Sequence, residues 1–98
     1  MFNQLKQAME MKKQADQLKK ELDANIMEIT EARGIKVVIN GAQEIQRIEI
    51  DDSLINPAQK KRLEVDITRS VNVAVRKAQT VAAQKMKTMF PGGFPGLQ

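Results

Sequence analysis

The stretch that decides the fold is KVVINGAQEIQRIEI, residues 36–50. β-Branched residues recur at short spacing on both sides of Asn40-Gly41, which predicts two antiparallel strands joined by a turn. Asn40 and Gly41 both tolerate a positive φ and therefore favour a tight or bulged turn. The expected apolar face of this hairpin consists of alternate residues, namely Ile35, Val37 and Ile39, then Ile48 and Ile50.

Ile45 is out of phase with the second strand, which predicts a bulge or a late strand start near Gln46. A further strand is expected upstream at residues 26–31, with a turn at 32–34 before the strand at 35–40. The third strand is then expected at 44–50. Together these form a three-stranded antiparallel meander, whose single apolar face needs a covering element.

Two long helices are predicted around this sheet. Residues 3–24 contain good helix formers and no Gly or Pro. Their apolar residues form a seam with heptad-like spacing: Ala8, Met11, Ala15, Leu18 and Leu22.

The second helix is expected from Pro57 to about Thr88. Asn56 is a suitable N-cap, Pro57 fits the first helical position, and Gln59 is placed for a capping-box-like start. Its apolar residues step by three or four along one face: Leu63, Ile67, Val71, Ala74, Ala78, Ala82 and Met86. The Gly- and Pro-rich residues 91–98 are expected to form a mobile tail after a single domain of residues 1–90.

The fold class is therefore α+β, with an α-β-β-β-α protomer. At ~1.5 Å per residue the two helices would be about 33 Å and 48 Å long. A compact domain of this size has a radius of gyration of only ~13 Å. Because the helices exceed what the small sheet can cover, we expect a homodimer with projecting helices.

The composition argues against catalysis. There is no His and no Cys, Ser53 and Ser70 lie outside any nucleophile motif, and the five glycines make no phosphate-binding loop. Ser53 is better explained by a turn or cap before the second helix. The adjacent acids Asp51 and Asp52 lack the spaced ligands of a calcium loop. We therefore expect no enzyme activity, metal, cofactor or small-molecule ligand.

No apolar segment is long enough to cross a membrane, and the N-terminus has no signal-peptide core. These features favour a soluble cytoplasmic protein. Charge is unevenly distributed along the chain: residues 1–25 carry a net +1, residues 26–56 a net −3 and residues 57–98 a net +6, for a total of +4. This polarity suggests a polyanionic partner, and the alternative is ordinary solubilising charge.

Basic residues repeat along both helices. Arg62, Arg69 and Arg76 recur at seven-residue spacing, which places them about 10.5 Å apart along one side of the second helix. Such a line of cations suits the DNA backbone, which requires charge more than exact geometry. The predicted DNA-binding residues are Lys12, Lys13, Lys19, Lys20, Lys61, Arg62, Arg69, Arg76 and Lys77.

The alternative is that these faces are only solvated. It is stronger for the first helix, where Glu10, Asp16, Glu21 and Asp23 can partly neutralise the lysines. A duplex partner is favoured over a single strand, because single-strand binding uses aromatic platforms and the three Phe residues lie near the chain ends. No helix-turn-helix or zinc-finger pattern indicates sequence-specific reading.

The order of motifs resembles the YbaB/EbfC family of bacterial nucleoid-associated proteins. The resemblance includes a strand ending Val37-Val38-Ile39-Asn40-Gly41, then Ile48-Glu49-Ile50-Asp51 and Ser53-Leu54. The Met- and Gln-containing MKKQADQLKKEL at 11–22 and the tail segment MFPGGFPGL at 89–97 also match. Two features depart from the family pattern: the turn between strands one and two is short, and the second helix is more basic.

The resemblance implies an α-β-β-β-α dimer with projecting helices that binds double-stranded DNA, located in the cytoplasm and nucleoid, with a role in nucleoid organisation and gene regulation. The residues assigned above rest on charge and spacing. The competing function is a protein-interaction adaptor or chaperone-like dimer, since Met-rich helical surfaces adapt to varied partners.

Overall fold

The computed structural model describes residues 2–92 and confirms the predicted order of a helix, three strands and a second helix. Its elements are α1 (Phe2–Ala24), β1 (Ile26–Ile29), β2 (Ile35–Asn40), β3 (Ile45–Ile50), two 3-10 turns (Asp52–Leu54 and Pro57–Gln59) and α2 (Lys60–Met89). Of the predicted tail, Pro91 and Gly92 form a turn, and residues 93–98 lie outside the described part of the chain.

The strands form one antiparallel sheet in the order β1-β2-β3. Between β2 and β3, Val38 pairs with Arg47 but Ile39 pairs with Ile45, so the register skips Gln46. Of the two alternatives expected near Gln46, a bulge or a late strand start, the structure has the bulge. The extra residue returns Ile45 to the same face as Ile48, because directly paired residues on neighbouring strands point to the same side.

The first strand is shorter than predicted. It ends at Ile29 rather than residue 31, because the chain leaves the ladder to make a turn in which the Ile35 amide donates to the Ala32 carbonyl at 3.1 Å. Ala32 is buried in the core, and Gly34 takes a φ of 83° that favours glycine.

The start of the second helix is capped as expected, but with a tighter first turn. The Asn56 side chain accepts from the Ala58 amide at 3.0 Å, and Pro57 occupies the first position of the 3-10 turn. The α-helix begins only at Lys60. The capping box predicted for Gln59 is wrong, because the Asn56 amide donates to the Leu54 carbonyl instead.

α2 packs on the apolar face of β1 and β2. Within it, Ala74 and Ala78 are fully buried, and their small side chains let the helix approach the sheet closely. Ser70 is also fully buried although the predicted apolar face omitted it, and its hydroxyl has no hydrogen-bond partner among the described residues. The core cluster consists of Ile29, Ala32, Ile35, Val37, Ile39, Ala74 and Ala78.

The opposite face of the sheet is charged and balanced within the chain. The Lys36 ammonium lies 3.7 Å from the Glu28 carboxylate. The Arg47 guanidinium donates to Glu49 at 2.8 Å. This hydrogen bond, with the nearby Lys36 charge, holds the pKa of Glu49 below its usual value. The acids of the strands therefore pair with neighbouring strand cations and leave the helical arginines to other partners.

The Asn40-Gly41 turn fixes α1 to the sheet. The Gly41 amide donates to the carbonyls of Leu22 and Asn25, both at 2.9 Å, and so caps the C-terminal end of α1. The Asn40 side-chain oxygen accepts from the amides of residues 42 and 44. Neither Asn40 nor Gly41 has the positive φ that the sequence suggested; Gln43 has it instead, at 65°.

Beyond the sheet, α2 continues beside α1. The Lys85 ammonium lies 3.3 Å from the Glu21 carboxylate and links the two helices. Of the predicted α1 seam, Leu18 is buried, Met11 and Leu22 are half-buried, and the alanines at 8 and 15 are exposed. The molecule measures 67 × 22 × 17 Å with a radius of gyration of 18.7 Å, well above the ~13 Å of a compact domain. The two helices therefore project together from the sheet.

Replacing Gly41 with alanine should destabilise the fold by about 1–3 kcal/mol, because overpacking forces backbone shifts. A Cβ at this position would lie 3.1 Å from the Leu22 carbonyl oxygen and 3.3 Å from its Cα, both of which are backbone atoms. Urea denaturation measures the change. Gly92→Ala is the matched control, since a Cβ there meets no atom within 4 Å. Equal stability of both variants and the wild type would show that the turn does not confine α1.

Candidate nucleic-acid interface

The structure places all nine predicted DNA-binding residues on exposed positions of the two helices. Their arrangement follows from helix geometry, in which each residue is about 100° around the axis from the last. None of the nine lies in the sheet or in the core. Exposure alone does not distinguish a binding surface from a solvated one, so the pairing of each cation matters.

On α1 the lysines form two neighbouring rows. Lys12 and Lys19 make one row, and Lys13 and Lys20 make the other, about 100° further around the helix. Glu21 does not pair with them as expected, because its carboxylate binds Lys85 of α2. The lysine rows therefore keep more of their positive charge than the sequence indicated.

On α2 the first two arginines of the row border a cleft beside the turn after β1, whereas Arg76 faces away from the sheet. Arg76 follows the fully buried Ala74 by two residues, which places it about 200° around the helix from the core. Asp66 lies between the first two arginines. Its carboxylate is 4.0 Å from the Arg62 Nε and 3.5 Å from an Arg69 Nη. The N-terminal half of the row is thus partly neutralised within its own helix.

The lysines beside the row lie on different sides of it. Lys61 precedes Arg62 by one residue and Lys77 follows Arg76 by one, so they lie about 100° from the row in opposite directions. A straight DNA strand that contacts the arginine row can therefore reach one of these two lysines more easily than both. The surface on α2 is therefore a broad convex strip rather than a line.

The pairing of Asp66 with two arginines of the row was not predicted from the sequence. Asp66 lies four residues after Arg62 and three before Arg69. These are the spacings at which helical ion pairs form, so the pairs could have been predicted from the sequence. The charge gradient along α2 was not predicted either: both acids of the helix lie in its first two turns, and none follows Asp66. The C-terminal two-thirds of α2 is the more strongly positive part.

A cleft of about 710 Å³ opens at the base of α2, where the arginine row meets the sheet. It is lined by the cations Arg33, Arg62 and Arg69 and by the acids Glu31, Asp51 and Asp66. The pKa of Asp51 is lowered by hydrogen bonds from Ser53. Since the opposite charges are equal in number, the residues that line this cleft carry no net charge.

Across residues 2–92 no group of three or more Asp, Glu, His or Cys side chains is arranged to hold a metal ion. In the same range, neither helix has a segment apolar enough to span a lipid bilayer.

Comparison with known proteins gives the family. The model of the YbaB/EbfC DNA-binding family matches residues 1–94. The chain belongs to this family. A relative from Chloroflexus aurantiacus, named a nucleoid-associated protein, is 34% identical over 94 residues, covering 95% of this chain and 93% of the relative.

Two other relatives carry the same name. The one from Anaeromyxobacter dehalogenans is 35% identical over 95 residues, covering 95% of this chain and 92% of its own. The one from Syntrophobacter fumaroxidans is 30% identical over 99 residues, covering 99% and 90%. These matches confirm the predicted family, and with it that the protein belongs to a DNA-binding family. The family is defined by DNA binding rather than by catalysis. The individual contact residues stay predictions.

Removing the Asp66 charge should strengthen duplex binding. In Asp66→Asn the guanidinium groups of Arg62 and Arg69 lose their carboxylate partner and become available to phosphates. The slope of log affinity against log salt should steepen by about 0.9 for each arginine that gains a phosphate contact. Fluorescence anisotropy with a labelled duplex at several salt concentrations measures this.

Glu64→Gln is the matched control for Asp66→Asn, because it removes the other acidic charge of α2 without breaking either of these ion pairs. It should raise affinity less and leave the slope nearly unchanged. If the two variants behave alike, the Asp66 pairs do not restrain the arginines.

Proposed function

We propose that the protein is a homodimeric, non-enzymatic nucleoid-associated protein that binds double-stranded DNA, mostly through phosphate contacts from its basic helices. The observation that carries the proposal is the position of the cations. Nine exposed Lys and Arg residues lie along the two helices, four on α1 and five on the part of α2 that packs on the sheet. The strand acids, by contrast, pair with strand cations and do not cancel this charge.

Phosphate contact fits this arrangement better than base stacking. Lysine and arginine set along a helix can each neutralise one phosphate, and the released counterions drive binding. Among the described residues the aromatic side chains are Phe2 and Phe90, one at each end, and Phe90 is buried. Single-strand binders usually present several exposed aromatic rings. We therefore expect double-stranded DNA to be bound in preference to single-stranded DNA.

A homodimer explains the apolar surface that a single chain leaves open. Ile45 and Ile48 point to the same side as the core, yet they are 42% and 38% exposed, because β3 is an edge strand beyond the cover of α2. A second copy placed against β3 would bury both and also satisfy the open edge. A two-fold arrangement would present two pairs of basic helices to one duplex.

Such a protein would work in the cytoplasm, at the nucleoid, where it would contribute to nucleoid organisation and gene regulation. Binding through phosphates is largely independent of sequence and allows many sites along the chromosome to be occupied.

A second function is favoured by one observation. Phe2, Leu5 and Met9 are 89%, 63% and 60% exposed along one face at the N-terminal end of α1. This apolar face suits a protein-interaction adaptor, since Met and other flexible apolar side chains accept varied partners. An adaptor of this kind would associate with proteins in a manner that does not depend on salt. DNA binding would instead show strongly salt-dependent retention of duplex DNA.

The triple change of Arg62, Arg69 and Arg76 to Gln should weaken duplex binding similarly across unrelated sequences. The salt slope should fall by about 0.9 for each arginine that contacts a phosphate in the wild type, and by about 2.7 only if DNA displaces Asp66 from both Arg62 and Arg69. Gln keeps helix propensity and length, so the fold should survive. Binding is measured by anisotropy and thermal stability by circular dichroism on the same sample.

Two results would contradict the role of the row. A normal salt slope with normal stability would show that the arginines form a solvated face, and the α1 lysines would then carry the binding. A normal slope with lowered stability would show that the arginines pair within the protein or the dimer.

Sedimentation at micromolar concentration should give a mass of about 22 kDa, twice the 11.0 kDa chain. Ile48→Lys should shift the mass towards the monomer, because it places a charge in the proposed subunit contact. Ile26→Lys is the control: Ile26 is 53% exposed but lies on the opposite face of the sheet. A wild-type monomer, or dissociation caused only by the control, would refute this interface.

A further inference from the structure

The turn that fixes α1 contains a chemically labile pair, Asn40-Gly41. An asparagine side chain deamidates when the backbone nitrogen of the next residue attacks its amide carbon. Glycine obstructs this attack least, because it has no side chain. The other four asparagines of the chain precede Gln, Ile, Pro or Val, whose side chains hinder the approach. Asn40 is therefore the asparagine that the sequence leaves most open to reaction.

The reaction changes the chain and needs only water. The Gly41 nitrogen loses its proton to solvent and forms a bond to Asn40 Cγ. The bond from Cγ to Nδ2 breaks, and Nδ2 takes up a proton and leaves as ammonia. Water then opens the resulting succinimide ring at one of its two carbonyls and yields either aspartate or isoaspartate. The turn catalyses nothing and is itself the group that is modified.

The fold holds the side chain that would be attacked. Asn40 is only 3% exposed. Its Oδ1 accepts from the amides of Ala42 at 3.1 Å and Glu44 at 2.9 Å. Its Nδ2 donates to the Asp23 carbonyl at 3.4 Å and to the Glu44 carboxylate at 3.1 Å. Ring closure requires Cγ to swing towards the next nitrogen, and these four hydrogen bonds oppose that movement.

The attacking nitrogen is held by α1. The Gly41 amide donates its proton to the carbonyls of Leu22 and Asn25, both at 2.9 Å, and the residue is buried. Both acceptors lie at the C-terminal end of α1. The nitrogen therefore becomes accessible to solvent base only when this end of α1 moves away from the turn.

We propose that Asn40 is a deamidation site controlled by α1, blocked while α1 is docked on the turn and reactive when α1 undocks. Either product opposes redocking. Aspartate loses the donor to the Asp23 carbonyl and places a second carboxylate beside Glu44. Isoaspartate also inserts the side-chain methylene into the backbone where the turn meets α1. The modification thus makes the undocking of α1 irreversible.

The test is the rate of deamidation at Asn40 in the full chain, followed by peptide mapping with mass spectrometry in mildly alkaline buffer. The chain unfolded in urea gives the unprotected rate. The native wild type should react at least about tenfold more slowly, because only its open fraction can react. The other four asparagines should stay unmodified over the same period and serve as an internal control.

Leu22→Ala should accelerate the reaction of the native protein about tenfold. Leu22 is half-buried, and a Cβ at position 41 would lie 3.0 Å from one of its methyl carbons, so its truncation weakens the docking of α1. Leu63→Ala is the matched control, because it truncates a half-buried leucine that packs on the core and lines the cleft beside the other turn of the sheet. With urea added until both variants have the same free energy of unfolding, Leu63→Ala should react more slowly.

Lys85→Gln is a second variant that acts at a distance from the turn. It removes the ion pair with Glu21 that joins α2 to α1. Because a surface pair contributes little, the fold should survive and the reaction should be about twofold faster. This variant decides the outcome if Leu22→Ala does not fold.

The product itself gives another readout. The deamidated chain carries an added negative charge, so ion exchange separates it from the unmodified chain. Hydrogen exchange should then be faster at the amides of α1 than in the unmodified chain. The amides of α2 should keep their protection, because its contacts with the sheet do not include the turn.

Three results would overturn the proposal. The first is an equal rate in the native and the urea-unfolded wild type. The second is a rate controlled by global unfolding, seen as equal acceleration by Leu22→Ala and Leu63→Ala at matched stability, or as no acceleration by either Leu22→Ala or Lys85→Gln. The third is normal protection of α1 in the deamidated chain. None of these measurements involves DNA, so each would leave the proposed function standing.

Discussion

The position of the helices depends on one close contact, that of Gly41 with the C-terminal end of α1. Its amide satisfies two carbonyls, those of Leu22 and Asn25, and its missing side chain leaves room for the Leu22 backbone. The Asn40 side chain holds the same turn through hydrogen bonds with residues 42 and 44 and with the Asp23 carbonyl. A hairpin without chemistry of its own thus sets the direction of a basic helix.

The position of α2 is set by contacts of its own with the sheet, and an ion pair then joins α2 to α1. Ser70, Ala74 and Ala78 place α2 close to β2, and the ion pair between Lys85 and Glu21 joins its far end to α1. The core covers one side of α2, and α1 covers only the C-terminal end of α2. The side of α2 that carries the arginine row therefore stays open. The charges are distributed accordingly. Acids are paired with cations on the sheet and at the base of α2, whereas the cations without such partners lie on the exposed faces of the helices.

Much of this fold could be predicted from local sequence. The phase of Ile45 indicated the bulge at Gln46, and Asn56-Pro57 indicated the start of the second helix, because both depend on neighbouring residues. The role of Gly41 could not be predicted this way, since it depends on the approach of a helix about twenty residues earlier. The burial of Ser70 likewise depends on which face meets the sheet. For the candidate site, charge spacing gave the exposed cations, whereas their partners required the structure.

The central claim is that duplex DNA lies against the outer faces of the two helices and not against the sheet. Amide chemical shifts measured by NMR during titration with a short duplex test it most directly. The account predicts the largest changes at exposed positions of α1 and α2, around Lys19 and Arg76, and little change at Glu28 and Arg47 on the charged face of the sheet. Changes concentrated on that sheet face, with the helices unaffected, would contradict it.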